Sequence, residues 1–351
     1  MADTESIFVS VASYRDDECP NTIKSIFEKA KNPSRIYVGI CQQNESVDVD
    51  CDLSSIYKGH VRILKIPSTE ARGPCKARYL CSLLYKDEDY FYQIDSHMRL
   101  AQDWDSKYIS MFKKLEKKSS KPVISYYPNS FEPNRESDIE KDDTVGRICS
   151  ANYNHDIISF NGASLIKKTE EPPLSGFATG GSMFLKGTFL NEVPFDPDLD
   201  DLFIGEEILF TARLWTWGYD IYSPNENLIW HYYTRSDSPK FWDDWNDNKK
   251  RPQPKNEKSS KKVKHILGIS VTDNIDVGKY GLGPVRSLDD FYKFIGFDKS
   301  TKTIYKNFCE DLDDYQPNNI ENNDIHCIFF IILLLIAVIS IFSIFVIINS
   351  R

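Results

Sequence analysis

Over the first hundred residues, short apolar runs alternate with amphipathic ones, and this alternation narrows the possible folds more than any other feature. Ile7–Ala12 (IFVSVA), Arg35–Ile40 (RIYVGI), Val61–Ile66 (VRILKI) and Tyr90–Ile94 (YFYQI) read as buried strands. Between them, Asn21–Lys31 and Pro74–Tyr85 carry apolar residues at helical spacing. Asp103–Lys118 repeats the helical pattern, Val123–Tyr127 reads as another strand, and a second α/β stretch runs from about 175 to 233. Strands separated by helices return to the sheet in the same direction, so the pattern predicts an α/β fold on a mostly parallel, doubly wound sheet. Such sheets bind ligands beyond the carboxyl ends of their strands. That places Ser13-Tyr14-Arg15-Asp16 and Asp95-Ser96-His97 at the candidate site, with polar Pro128–Asp143 as a loop over it.

The far end of the chain follows different physics. Ile328–Ile348 is 21 residues without a charge, and only Ser340 and Ser343 are polar. As a helix it would be about 31 Å long, matching a hydrocarbon core of ~30 Å. The expectation is a transmembrane helix, with the anchor spanning 325–348. Met1–Ser6 lacks the basic region of a signal peptide, which predicts a tail-anchored protein with its catalytic domain in the cytosol. The flanking charges lean weakly the other way, since Glu310–Asp324 is acidic and only Arg351 follows the span. The expected organisation is a catalytic domain over 1–245, a basic loop and C-terminal extension over 246–324, then the anchor. Lys249–Lys264 carries eight basic residues and one acidic; it reads as a solvated loop, or as a contact for anionic headgroups or an acidic partner.

Charge excludes one class of partner. The 351 residues hold 43 Lys+Arg against 52 Asp+Glu, a net charge of -9. Nucleic-acid binding needs the opposite excess, so no nucleic-acid partner is expected. The eight cysteines form no CxxC pair, and read as ordinary thiols in a reducing compartment.

Chemistry concentrates in three places. In Asp95-Ser96-His97 the carboxylate and imidazole lie two residues apart after a strand, a spacing that points both to one side. That donor pair suits manganese or a similar borderline divalent ion better than calcium. Gly205-Glu206-Glu207 opens a helix that ends at Gly218. His231 follows the apolar run Leu228-Ile229-Trp230 and is placed to supply a third ligand.

Five stretches carry a resemblance: FVSVASYRD (8–16), ARGPCKARYL (71–80), QIDSHMR (93–99), ATGGSMFL (178–185) and VPFDPDL…FIGEE…RLWTWGYDIYSPNENLIWHYYTR (193–235). They resemble the cytoplasmic polypeptide N-acetylglucosaminyltransferases, which modify hydroxyproline on the adaptor subunit of cullin-type ubiquitin ligases in certain protists. The likeness spans roughly residues 6–245. A more distant resemblance is to the mucin-type polypeptide N-acetylgalactosaminyltransferases, through the same D-S-H, Gly73, Ala77 and Arg78 before it, and a histidine after a strand pair.

The resemblance implies a GT-A fold, a UDP-sugar donor, a divalent metal (manganese) and retention of anomeric configuration. It implies that Asp95, His97 and His231 hold the metal, and through it the donor diphosphate. Arg72 and Arg78 become phosphate or uracil contacts, Arg78 matching better. Ser13, Arg15 and Asp16 would lie along the nucleotide. Gly180-Gly181 would admit the donor sugar, and Glu206 and Glu207 would meet the sugar or the acceptor hydroxyl. The expected function is transfer of N-acetylglucosamine from UDP-GlcNAc to a hydroxyl of a protein acceptor. Alternatives are another UDP-sugar, a glycan acceptor, or a non-catalytic membrane-anchored sugar-binding protein. The membrane span departs from the protist relatives and leaves the acceptor open.

Overall fold

The computed structural model describes residues 5–135, 143–235, 238–242, 244, 256–270 and 274–310. All four strands expected in the first hundred residues form: β1 (Ile7–Tyr14), β2 (Ile36–Asn44), β3 (Val61–Pro67) and β4 (Tyr90–Asp95). Helix α1 (Cys19–Glu28) follows β1, and α2 (Pro74–Ser82) precedes β4. Pro74 opens α2 and Pro20 is the second residue of α1; the fixed φ and missing N–H of proline suit a first turn. Ile7, Phe8, Val9 and Val11 are buried on both faces of β1. A nearly continuous apolar run, interrupted at buried Ser10, is therefore the signature of this interior parallel strand.

The chain continues through β5 (Met98–Leu100), α3 (Trp104–Leu115), β6 (Pro122–Ser125) and short strands β7 (Asn129–Ser130), β8 (Thr144–Arg147), β9 (Ala151–Asn154), β10 (Ile157–Phe160) and β11 (Ser164–Lys167). Then come β12 (Ser182–Lys186), α4 (Glu206–Thr216), β13 (Asp220–Tyr222) and β14 (Ile229–His231). The main sheet has the order β13-β6-β12-β4-β1-β2-β3. Its pairs are parallel, except that β12 runs antiparallel between β4 and β6. The molecule is thus mixed α/β with a mostly parallel central sheet. A smaller sheet of order β5-β14-β7 stands at the carboxyl end of β4, with His231 opposite Met98.

Within the expected extension, α5 (Glu257–Ile266) and α6 (Leu288–Ile295) form and share an apolar cluster with α4. Val263, Phe291 and Phe294 meet Ile208, Leu209 and Trp215 there. No helix among the described residues is long and apolar enough to cross a membrane. The expected anchor at 325–348, and residues 249–255 of the basic run, lie outside the described residues.

The cysteine expectation needs correction. Cys19, Cys41, Cys51, Cys75 and Cys81 are buried thiols, but Cys149 and Cys309 form a disulfide with Cα atoms 5.1 Å apart. The partners lie 160 residues apart in sequence, so tertiary folding alone brings them together and no local spacing reveals them. Such a bond is uncommon in a reducing compartment.

Candidate functional site

Two strand ends build the candidate metal site. β4 delivers Asp95 at its last residue, and the chain turns through Ser96 and His97 into β5. β14 pairs antiparallel with β5 and brings His231 alongside. One ligand atom each from Asp95, His97 and His231 lies within 4.8 Å of the others. His97 Nε2 and His231 Nε2 are 3.0 Å apart, and His231 Nε2 is 3.3 Å from Asp95 Oδ2. Metal–ligand bonds of about 2.0–2.2 Å put adjacent ligand atoms roughly 3 Å apart, so the spacing fits one small divalent ion. Two ring nitrogens this close cannot both carry protons, but both can direct lone pairs at a shared cation.

The surrounding groups favour that state. Asp16 Oδ2 sits 2.7 Å from His97 Nδ1 and also accepts from Ser96 Oγ at 2.5 Å. An Nδ1–H donated to Asp16 leaves the His97 Nε2 lone pair to face a cation, the geometry of carboxylate–histidine–metal arrangements. Asp16 is 2% exposed. Burial pushes its carboxyl up, but His97, Arg235 and Ser96 bring it down to about 2. Burial likewise raises Asp95, yet His231 and Arg78 hold it well below the usual carboxylate range. Burial keeps the His231 imidazole below its ordinary value, against the pull of Asp95. The donor set therefore combines a charged carboxylate with two imidazoles, of which His231 is held towards its neutral form.

On the opposite wall, Gly205 (φ +102°) starts α4 with a conformation that disfavours side chains, and Glu206 and Glu207 follow it. Arg78 Nη1 donates to Glu206 Oε2 at 2.5 Å and Nη2 to Asp95 Oδ1 at 3.2 Å. Glu207 accepts from the Gly180 N–H at 2.9 Å and from the Tyr127 hydroxyl. Burial and the neighbouring Glu206 push Glu207 up, and these bonds pull it back, to about 7. Both glycines pack close against side chains of the site. A Cβ on Gly180 would lie 2.4 Å from the Arg78 guanidinium, and one on Gly181 3.0 Å from Asp95 Oδ2.

Both walls line a cavity of ≈ 510 Å³, within the ~300–1,000 Å³ of small-molecule sites. Asp16, Arg78, Asp95, His97, Gly181, Glu206, Glu207 and His231 reach it. Ser13, Arg15, Arg72 and Gly180 are not among its lining residues. Ser13 is buried. Arg15 is held by Asp48, Glu45 and Asp244. Arg72 is exposed, its guanidinium donating to the Ala71 carbonyl. The sequence reading missed Arg235, which lines the cavity 3.3 Å from Asp16. Its only signal is a cation four residues after His231. It also missed Tyr127 and Tyr233, aromatic residues with no spacing to mark them.

A family model described as Glycosyltransferase (GlcNAc) matches residues 6–60 and 53–301. No curated protein matches the sequence. Among solved structures, the crystal structure of GalNAc-T7 with UDP, GalNAc and Mn2+ is similar at a TM-score of 0.54 and 12% identity, covering 86% of this chain and 59% of that one. S. aureus TarS 1-349 in complex with UDP-GlcNAc gives a TM-score of 0.44 at 12% identity, covering 67% and 62%. The chain thus spans about three fifths of the length of these structures. At such identity, the GalNAc-T7 likeness speaks to the fold, in line with a GT-A architecture.

Proposed function

The chain belongs to the glycosyltransferase (GlcNAc) family, and from that premise we propose that it transfers N-acetylglucosamine from UDP-GlcNAc to a hydroxyl of a polypeptide, using a divalent cation. The observation that carries the reading is the convergence of Asp95, His97 and His231 on one point. Manganese suits this mixed oxygen and nitrogen donor set, and the structure of GalNAc-T7, which shares the fold, was determined with Mn2+ and UDP. A cation at these three side chains would neutralise the charge that develops on a departing diphosphate.

The chain's own groups divide the remaining work. Asp16 fixes the His97 ring so that Nε2 faces the cavity. Arg235 adds positive charge on the same side, where a guanidinium suits phosphate oxygens. Arg78 ties Glu206 to Asp95 and so joins the two walls. With retention, as the resemblance implies, a front-face course needs no enzymatic nucleophile. The departing phosphate oxygen then helps take the acceptor proton. A trapped glycosyl adduct on Glu206 or Glu207 would replace this course with double displacement.

The test is UDP release from UDP-GlcNAc with and without manganese, in the parent and in His97→Ala. The expected outcome is release that depends on manganese and falls by about two or more orders of magnitude in the variant. Equal release by both proteins defeats the ligand assignment. Peptide and glycan acceptors, including hydroxyproline peptides, then identify what receives the sugar.

A further inference from the structure

Glu206 and Glu207 are neighbours with different surroundings. The charge of Glu206 is balanced by Arg78 at 2.5 Å. The hydrogen-bond partners of Glu207 are neutral donors, the Gly180 N–H on Oε1 and the Tyr127 hydroxyl on Oε2. Tyr127 is itself held firmly. A Cβ on Gly146 would fall 2.1 Å from the Tyr127 carbonyl oxygen, so β8 packs directly on that backbone. The Tyr233 hydroxyl binds the adjoining Pro128 carbonyl at 2.9 Å. Tyr127, Tyr233 and Glu207 all line the cavity.

We propose that Tyr127 is a positioning residue whose hydroxyl orients Glu207 towards the cavity and favours its ionised form, making Glu207 the carboxylate that accepts a hydrogen bond from a substrate hydroxyl. This deepens the transferase reading and rests on it. The groups facing Glu207 are Tyr127 after β6, Tyr233 after β14, Arg78 on α2 and Glu206 on α4, with Asp95 on β4 near the two tyrosines. Burial raises both tyrosines, so they remain protonated donors at neutral pH. Burial also raises Glu207, and the Tyr127 bond opposes it. Removing the hydroxyl takes away a lowering influence, so Glu207 then loses its proton at higher pH.

The experiment compares the parent, Tyr127→Phe and Glu207→Gln across roughly pH 5.5–8.5, reading turnover of UDP-GlcNAc at saturating manganese. Infrared spectroscopy follows the protonated-carboxyl band in parallel, assigned to Glu207 by its loss in Glu207→Gln. The parent rate should rise through a midpoint near 7. In Tyr127→Phe the midpoint and the infrared titration should both move up by about one pH unit, a roughly fivefold loss at pH 7 that recovers in alkali. Glu207→Gln should be slow with no such rise. A folded Tyr127→Phe with an unmoved infrared titration overturns the proposal. If no protein turns over UDP-GlcNAc, the donor reading fails, while the infrared shift still judges the Tyr127–Glu207 pair.

Discussion

One cavity holds two carboxylates driven in opposite directions. Asp95, beside His231 and Arg78, is held ionised far below its ordinary range. Glu207, with neutral donors and the charge of Glu206 nearby, is pushed up to about 7. Both are partly buried, and burial raises both. The neighbours decide the sign of the outcome. Residue type alone therefore does not assign a proton, and a site can pair a permanent anion with one that titrates near neutrality.

The largest test of this contrast removes a ligand from the Asp95 side. His231→Ala should lower manganese-dependent turnover by about two or more orders of magnitude. Metal titration by calorimetry should show the same loss without any substrate. Next comes Asp16→Asn, which keeps the shape but removes the negative charge facing His97. Metal affinity should fall by about 10–100-fold, and an unchanged titration curve would return Asp16 to the nucleotide-contact role expected from sequence.

The smallest effect concerns stability on the Glu207 side. Its folded pKa is raised from 4.5 to about 7. The stability linked to its proton is therefore fully present below about pH 4.5 and is lost as pH rises through 7. Glu207→Gln should remove this slope, gaining on the parent as pH increases. Chemical denaturation at several pH values checks it, and parallel curves for the two proteins contradict the raised value.

The strand framework was legible because burial leaves a strong mark. β1 and β4 are almost wholly apolar and central, and they formed where their runs predicted. The convergence of Asp95, His97 and His231 was legible through D-x-H spacing and a histidine at a strand end. β12 was not, because its antiparallel insertion is fixed by partners on both sides. Nor was β11, whose residues are largely exposed and lack alternation. Asp16 was named for its place beyond β1, but its side chain turns inward to His97, a direction no one-dimensional pattern encodes. Tyr127 and Arg235 likewise depend on which strands neighbour one another.

The Cys149–Cys309 bond, between residues 160 apart in sequence, closes the chain between them into a covalent ring, and Arg78's partner Glu206, Gly180-Gly181 and His231 all fall inside it. A protease that nicks the chain once within this ring would leave a single species on a non-reducing gel, and two fragments only after thiol treatment. The molecule thus carries its own internal splint across the segment that holds Glu206, Glu207 and His231.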